Sequence, residues 1–214
     1  MSYQALAIGG VVALALTGLG VSNVLHDHGL DSSVSRCLAA ALGGAALLVA
    51  VMWLDPWTAV ALSGVLTLFI VVLRVGFRRG LRGAKGKMPS QAWAEVTYAV
   101  GGTASLAIGW GLLGDKWLAF LPIAFMAWGD NAAGLARATI WRRNIASIWP
   151  SIAMLGVCLA AGALFHPLWI GAIGAVVATV AERFRPGFLR FWDDNLNIVA
   201  ASFTVMSILT RVSL

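Results

Sequence analysis

Charge is scarce in this sequence. Only 11% of its 214 residues are Asp, Glu, Lys or Arg, while 60% are hydrophobic. A water-soluble domain carries about 25% charged residues, so this chain cannot cover a solvent-facing surface. Cysteine and histidine are also sparse, with two and three copies. Cys37 and Cys158 stand in apolar stretches at no metal-binding spacing, which argues against a disulfide framework or a thiolate site. His26, His28 and His166 are scattered, and no serine–histidine–acid constellation is present. His26 and His28 could bind a metal with Asp27, but the stretch reads as a solvated loop. The glycine-rich basic stretch 76–87 does not meet the Gly-x-x-x-x-Gly-Lys-Ser/Thr spacing of a P-loop. It reads as a flexible basic loop at a membrane surface, with phosphate or headgroup contact as the alternative. Internal repeats and low-complexity tracts are absent.

What the chain has is long apolar runs, and its mean hydropathy is +0.86. A membrane helix needs about 20 mostly apolar residues. Runs that meet or approach this cover 3–25, 36–54, 56–73, 93–113, 117–136, 145–164, 168–181 and 195–210. The first has neither the basic start nor the Ala-x-Ala site of a cleaved signal peptide. The last two are short, as tilted or re-entrant segments are. The expected fold is all-α: a polytopic transmembrane bundle of about seven or eight spans, with 1–214 as one integral membrane domain.

The formal charge of +6 suits topology better than nucleic-acid binding. If the polar stretch 74–90 is cytoplasmic and the spans alternate, all of the 15 basic residues except Lys116 and Arg211 fall on that side. This is the asymmetry of the positive-inside rule, and it predicts an even number of spans with both termini outside. Trp53 and Trp57 flank one outer turn, and Trp110 and Trp117 the next, as interfacial tryptophans do.

The nine acidic residues carry the functional signal. Asp55 and Asp115 read as turn residues, and Asp27 and Asp31 as solvated loop charges. Glu95 begins one span, Glu182 ends another, and Asp193-Asp194-Asn195 opens the last. Asp130 stands apart. It lies about 10 Å inside its helix end, at about 1.5 Å per residue. A carboxylate there costs about 3 kcal/mol unless it is paired, hydrated or bound to a cation. Gly129, Ala132, Ala133 and Gly134 let a neighbouring helix or ligand come close, and Asn131 adds a neutral oxygen. Asp130 is either a structural ion pair, with Arg137 on the same face or with another helix, or part of a functional site. One Asp at 193–194 is explained as a helix cap, but two are not. Asp130, Glu182, Asp193 and Asp194 form a hard-oxygen set of the kind that Mg²⁺ prefers. Arg183, Arg185 and Arg190 could hold phosphates or anionic headgroups beside it.

Three segments carry a resemblance. They are Glu95-Val-Thr-Tyr98; Gly129-Asp130-Asn131-Ala-Ala-Gly134; and Ala178-Thr-Val-Ala-Glu182 followed by Asp193-Asp194-Asn195-Leu-Asn-Ile198. Over about 92–200 the chain resembles the CTP-dependent polyprenol kinases, the family of dolichol and phytol kinases, which look related to the CDP-lipid cytidylyltransferases. The family's Arg-Lys-x-x-His is reduced to Arg36-Cys37-Leu38-Ala39-Ala40, and its Lys-Thr-x-Glu-Gly-Ser is missing. The resemblance implies transfer of the γ-phosphoryl of CTP to a prenol hydroxyl, with Mg²⁺ as cofactor. The expected partners are membrane lipids, an isoprenoid alcohol and the nucleotide. Asp130 and Asp194 would be catalytic, and Asp130, Glu182, Asp193 and Asp194 would be the metal set. Arg137, Arg142 and Arg143 would contact nucleotide phosphates, and Asn195 would be a neutral metal ligand or a phosphate contact. The alternatives are a CDP-lipid cytidylyltransferase and a non-catalytic membrane protein or transporter.

Overall fold

The computed structural model describes residues 3–77, 81, 83–84, 93–139, 148–183 and 193–213. All regular structure among them is helical. The helices are α1 (Tyr3–Asp27), α2 (Ser32–Trp53), α3 (Pro56–Gly76), α4 (Ala94–Ser105), α5 (Lys116–Ala124), α6 (Asn131–Thr139), α7 (Trp149–Gly162), α8 (Leu168–Arg183) and α9 (Asp194–Ser213). A π-helical segment, Leu106–Leu112, prolongs α4, and another, Phe125–Asp130, joins α5 to α6 as one rod. Five helices are long and apolar enough to cross a bilayer: α1, α2, α3, the rod Lys116–Ala138, and α9. The protein is a multi-pass membrane protein, an all-α bundle.

Aspartates set several helix starts. Asp31 accepts from the Ser33 amide at 2.8 Å, Asp55 from Thr58 at 3.0 Å, and Asp115 from Trp117 and Leu118 at 2.9 Å. Each satisfies amides that a helix start leaves without intrahelical partners. Asp31 is thus an N-cap and not merely a solvated charge. The Thr58 side chain and amide hold the Asp55 carboxyl below the ordinary carboxylate range. Most of the basic loop lies outside the described residues, but Leu81, Gly83 and Ala84 are buried. The Gly83 amide donates to Asn23 Oδ1 at 2.8 Å, and its carbonyl accepts from Ser35 Oγ at 3.1 Å. A Cβ on Gly83 would collide with the Ser22 backbone, so this part of the loop is seated against α1 and α2.

The rod is the centre of the bundle, with every residue from 118 to 127 buried. A helix apolar all round is buried all round. Lipid tails are as apolar as leucine, so close contact, not escape from water, holds membrane helices together. Glycines provide that contact. Gly162 and Gly171 bring α7 and α8 so close that a Cβ on either would strike the other's backbone. Gly129 faces Cys158 and Met154 of α7 with no space for a side chain.

Candidate functional site

Three carboxylates from three helices meet inside the bundle. Asp130 ends the second π segment, Glu182 lies in the last turn of α8, and Asp194 opens α9. One oxygen from each lies within 4.8 Å of the others. All three are buried, with exposures of 9%, 1% and 5%. The π segment matters here. An i→i+5 turn changes the rotation along a helix, and such turns occur often at functional sites. It presents Asp130 inward, while Gly129 lets α7 close behind.

Arg137 pairs with Glu182 through Nη2 and Oε1, and not with Asp130, the same-face partner considered from sequence. The other Glu182 oxygen, Oε2, is buried without a hydrogen-bond partner. A buried carboxylate oxygen without a partner costs about 1–3 kcal/mol or more. Three clustered carboxylates add mutual repulsion. Octahedral ligands at about 2.1 Å from Mg²⁺ lie about 3–4 Å apart, close to the spacing available here. The donors are hard oxygens and one is left over, so Asp130, Glu182 and Asp194 fit a divalent cation.

Asp193 does something else. Its Oδ2 accepts from Thr97 Oγ1 at 2.6 Å and from Asn195 Nδ2 at 3.4 Å, and its Oδ1 accepts from the Leu196 amide at 3.3 Å. It caps α9 and ties it to α4, outside the trio. Burial pushes its carboxyl up to about 6 and the Asp194 charge adds to the rise, against the lowering effect of the Thr97 bond. Asn195 Nδ2 also donates to the Ala94 carbonyl at 3.0 Å, a second strap between α9 and α4. Asn131 Nδ2 donates to the Cys37 carbonyl at 2.8 Å and to Ala127, which fixes α6 against α2. Arg142 and Arg143 lie outside the described residues, as do Arg185 and Arg190.

Sequence reasoning missed three features. The first is Arg36, noted only as a motif remnant, which lines a cavity together with Asp130, Asn131 and Asn195. The second is the Arg74–Glu95 ion pair at 3.2 Å, with Arg74 also over the Trp93 ring at 5.2 Å. The third is the cavity itself, about 790 Å³ of space including its open mouth. Its polar residues are Arg36, Glu95, Asp130, Asn131 and Asn195; the rest is mostly apolar, from α1, α2, α3 and α4 with Ala84 and Met126. The polar residues were visible in the sequence, but nothing there tied α1 and α3 to them. Asp130 belongs to both the cavity wall and the carboxylate trio. Comparison with protein-family models, curated proteins and solved structures gave no match.

Proposed function

We propose that this chain is a lipid-alcohol kinase that passes the γ-phosphoryl of CTP to a prenol hydroxyl, with its site on the cytoplasmic side. One observation carries the reading: Asp130, a member of the buried carboxylate trio, lines the polar end of a cavity whose remaining wall is apolar. That arrangement suits a substrate with a reactive head and a hydrocarbon chain. CTP enters through the motif resemblance, and the cytoplasmic side through the positive-inside rule.

Phosphoryl transfer depends on positioning and charge neutralisation. Asp130, Glu182 and Asp194 would hold Mg²⁺, which would neutralise phosphate charge and orient the nucleotide when bound. Asp130 is also the carboxylate at the cavity wall. It would orient the hydroxyl and accept its proton as the oxygen–phosphorus bond forms and the bond to the β-phosphate oxygen breaks, releasing CDP. Arg137 pairs with Glu182 and would hold its side chain in place. Arg36 faces the same space and would contact phosphate oxygens. Asp193 and Asn195 would hold the start of α9 so that Asp194 stays aimed at the trio.

The test is incubation of purified protein with Mg²⁺, labelled CTP and a prenol. Prenyl phosphate with CDP is the expected outcome. Pyrophosphate release with a CDP-lipid product would point to a cytidylyltransferase, and absence of nucleotide binding to a non-catalytic protein. Labelling of cysteines placed at Lys85 and Lys116 should find them on opposite faces, and the same face would reject the alternating topology.

A further inference from the structure

The cavity at Asp130 does not end where its polar residues end. A second chamber, of about 500 Å³, continues from it along the bundle. Ala15, Gly43, Leu66, Ile70 and Tyr98 line both. They come from α1, α2, α3 and α4, so four helices form a waist between the chambers. Beyond it the lining is Val11, Ala46, Ala50, Ala59 and their apolar neighbours. Ser63 and Thr67 also line this part, but their hydroxyls are engaged with Thr103 at 2.7 and 2.9 Å, and Thr67 reaches the Ala99 carbonyl at 3.2 Å. The wall there offers hydrocarbon. At the far end Val11, Ala50, Leu54 and Ala59 belong to one packed apolar cluster. At the near end Leu16 and Phe69 line the cavity and remain 46% and 40% exposed, on the side that faces lipid.

We propose that this two-chambered groove holds the hydrocarbon chain of the lipid alcohol, and that Gly43 and Tyr98 at its waist set the longest chain accepted. The proposal rests on the lipid-alcohol reading and names the part of the site that selects among such alcohols. From Arg36 to Ala50 along α2 the groove runs about 21 Å at 1.5 Å per residue. That is most of the ~30 Å hydrocarbon thickness, so a chain anchored at Asp130 would lie along the bilayer normal. The waist is Ala15 from α1, Gly43 from α2, Leu66 and Ile70 from α3, and the Tyr98 ring. Tyr98 is held in position by its hydroxyl, which donates to the Ala40 carbonyl at 2.8 Å. A Cβ on Gly43 would lie 3.2 Å from both the ring and the hydroxyl oxygen. Glycine at 43 therefore keeps the waist open, and a larger residue narrows it.

The experiment uses the whole protein in detergent and needs no catalysis. A diazirine-bearing farnesol is photo-crosslinked, and geraniol, farnesol and geranylgeraniol, of two, three and four isoprene units, compete with it. In the wild type the label should fall on α1, α3 or α4. In Gly43→Leu the affinity for geranylgeraniol relative to geraniol should fall about tenfold or more, the scale of an altered apolar pocket. Ala15→Leu fills the same waist from α1 and should act in the same sense; it carries the test if Gly43→Leu does not fold. An unchanged length profile in both folded variants, or equal loss at every length, overturns the groove and leaves the lipid-alcohol reading standing. Wild-type protein that binds Mg²⁺ and CTP but none of the three alcohols overturns both.

Discussion

Asp130 and Arg137 lie on one rod and both meet Glu182, one as a fellow carboxylate and the other as its counter-ion, and this separates their expected roles. Asp130→Asn keeps the shape of the side chain and removes one charge from a crowded acidic site. Folding should survive, because relieving like-charge repulsion and desolvation offsets what is lost. CTP-dependent prenol phosphorylation should fall about 10²-fold or more, the scale of losing one electrostatic element of a transition state. Full activity in the folded variant would remove Asp130 from the site. Arg137→Met has the opposite signature. It leaves Glu182, 1% exposed, without the guanidinium it pairs with. Breaking a buried pair costs about 3–5 kcal/mol, but the Arg137 side chain is 40% exposed and solvent screens its share, so a loss of about 1–3 kcal/mol is expected. A melting curve in EDTA reads it, and Arg137→Met/Glu182→Leu should recover most of the loss. A single variant that melts like the wild type would show that Arg137 does not support Glu182.

At the level of helices, spacing between glycines and their neighbours governs how the site is assembled. Gly129 precedes Asp130 and meets Cys158 of α7 so closely that a Cβ there would overlap the sulfur. Gly129→Ala should therefore cost about 1–3 kcal/mol through overpacking. Cys158→Ala removes the obstructing atom. The double variant should be more stable than the two single losses add up to, since the residues share one contact. Strict additivity in melting temperature would show that the rod and α7 separate readily there. The helices themselves were legible in the sequence because apolar runs were bounded by aspartates that turned out to cap them, such as Asp55 and Asp115. The π segments were not legible. An i→i+5 turn arises from packing, here where Gly109 and Ser105 meet Ala119 and where Gly129 meets α7, and no local residue preference announces it.

Taken whole, the bundle brings residues far apart in sequence to one end, and that decides which parts of the site could be read beforehand. Asp130, Glu182 and Asp194 stood out because carboxylates are rare in an apolar chain. Asp193 and Asp194 could not be told apart. Successive residues on a helix point about 100° apart, so one faces the trio and the other faces Thr97, 96 positions away. Arg36 was visible only as a motif remnant, and the role of α1 and α3 not at all, since cavity walls depend on how helices lean. The convergence has a thermodynamic consequence. At this end the Arg137–Glu182 pair joins α6 to α8, while the three carboxylates of the rod, α8 and α9 repel one another. A cation bound to all three would replace repulsion with a shared link, and it would bind the folded bundle and not separated helices. Binding to the folded state alone stabilises by RT ln(1 + [L]/Kd), about 1.4 kcal/mol at ten times Kd. Adding Mg²⁺ to EDTA-treated protein should raise the melting temperature with a saturable dependence on concentration. Asp194→Asn should weaken that dependence at equal ionic strength. A rise produced equally by sodium salt, or unchanged in Asp194→Asn, would reduce the effect to general charge screening and leave the trio without a metal.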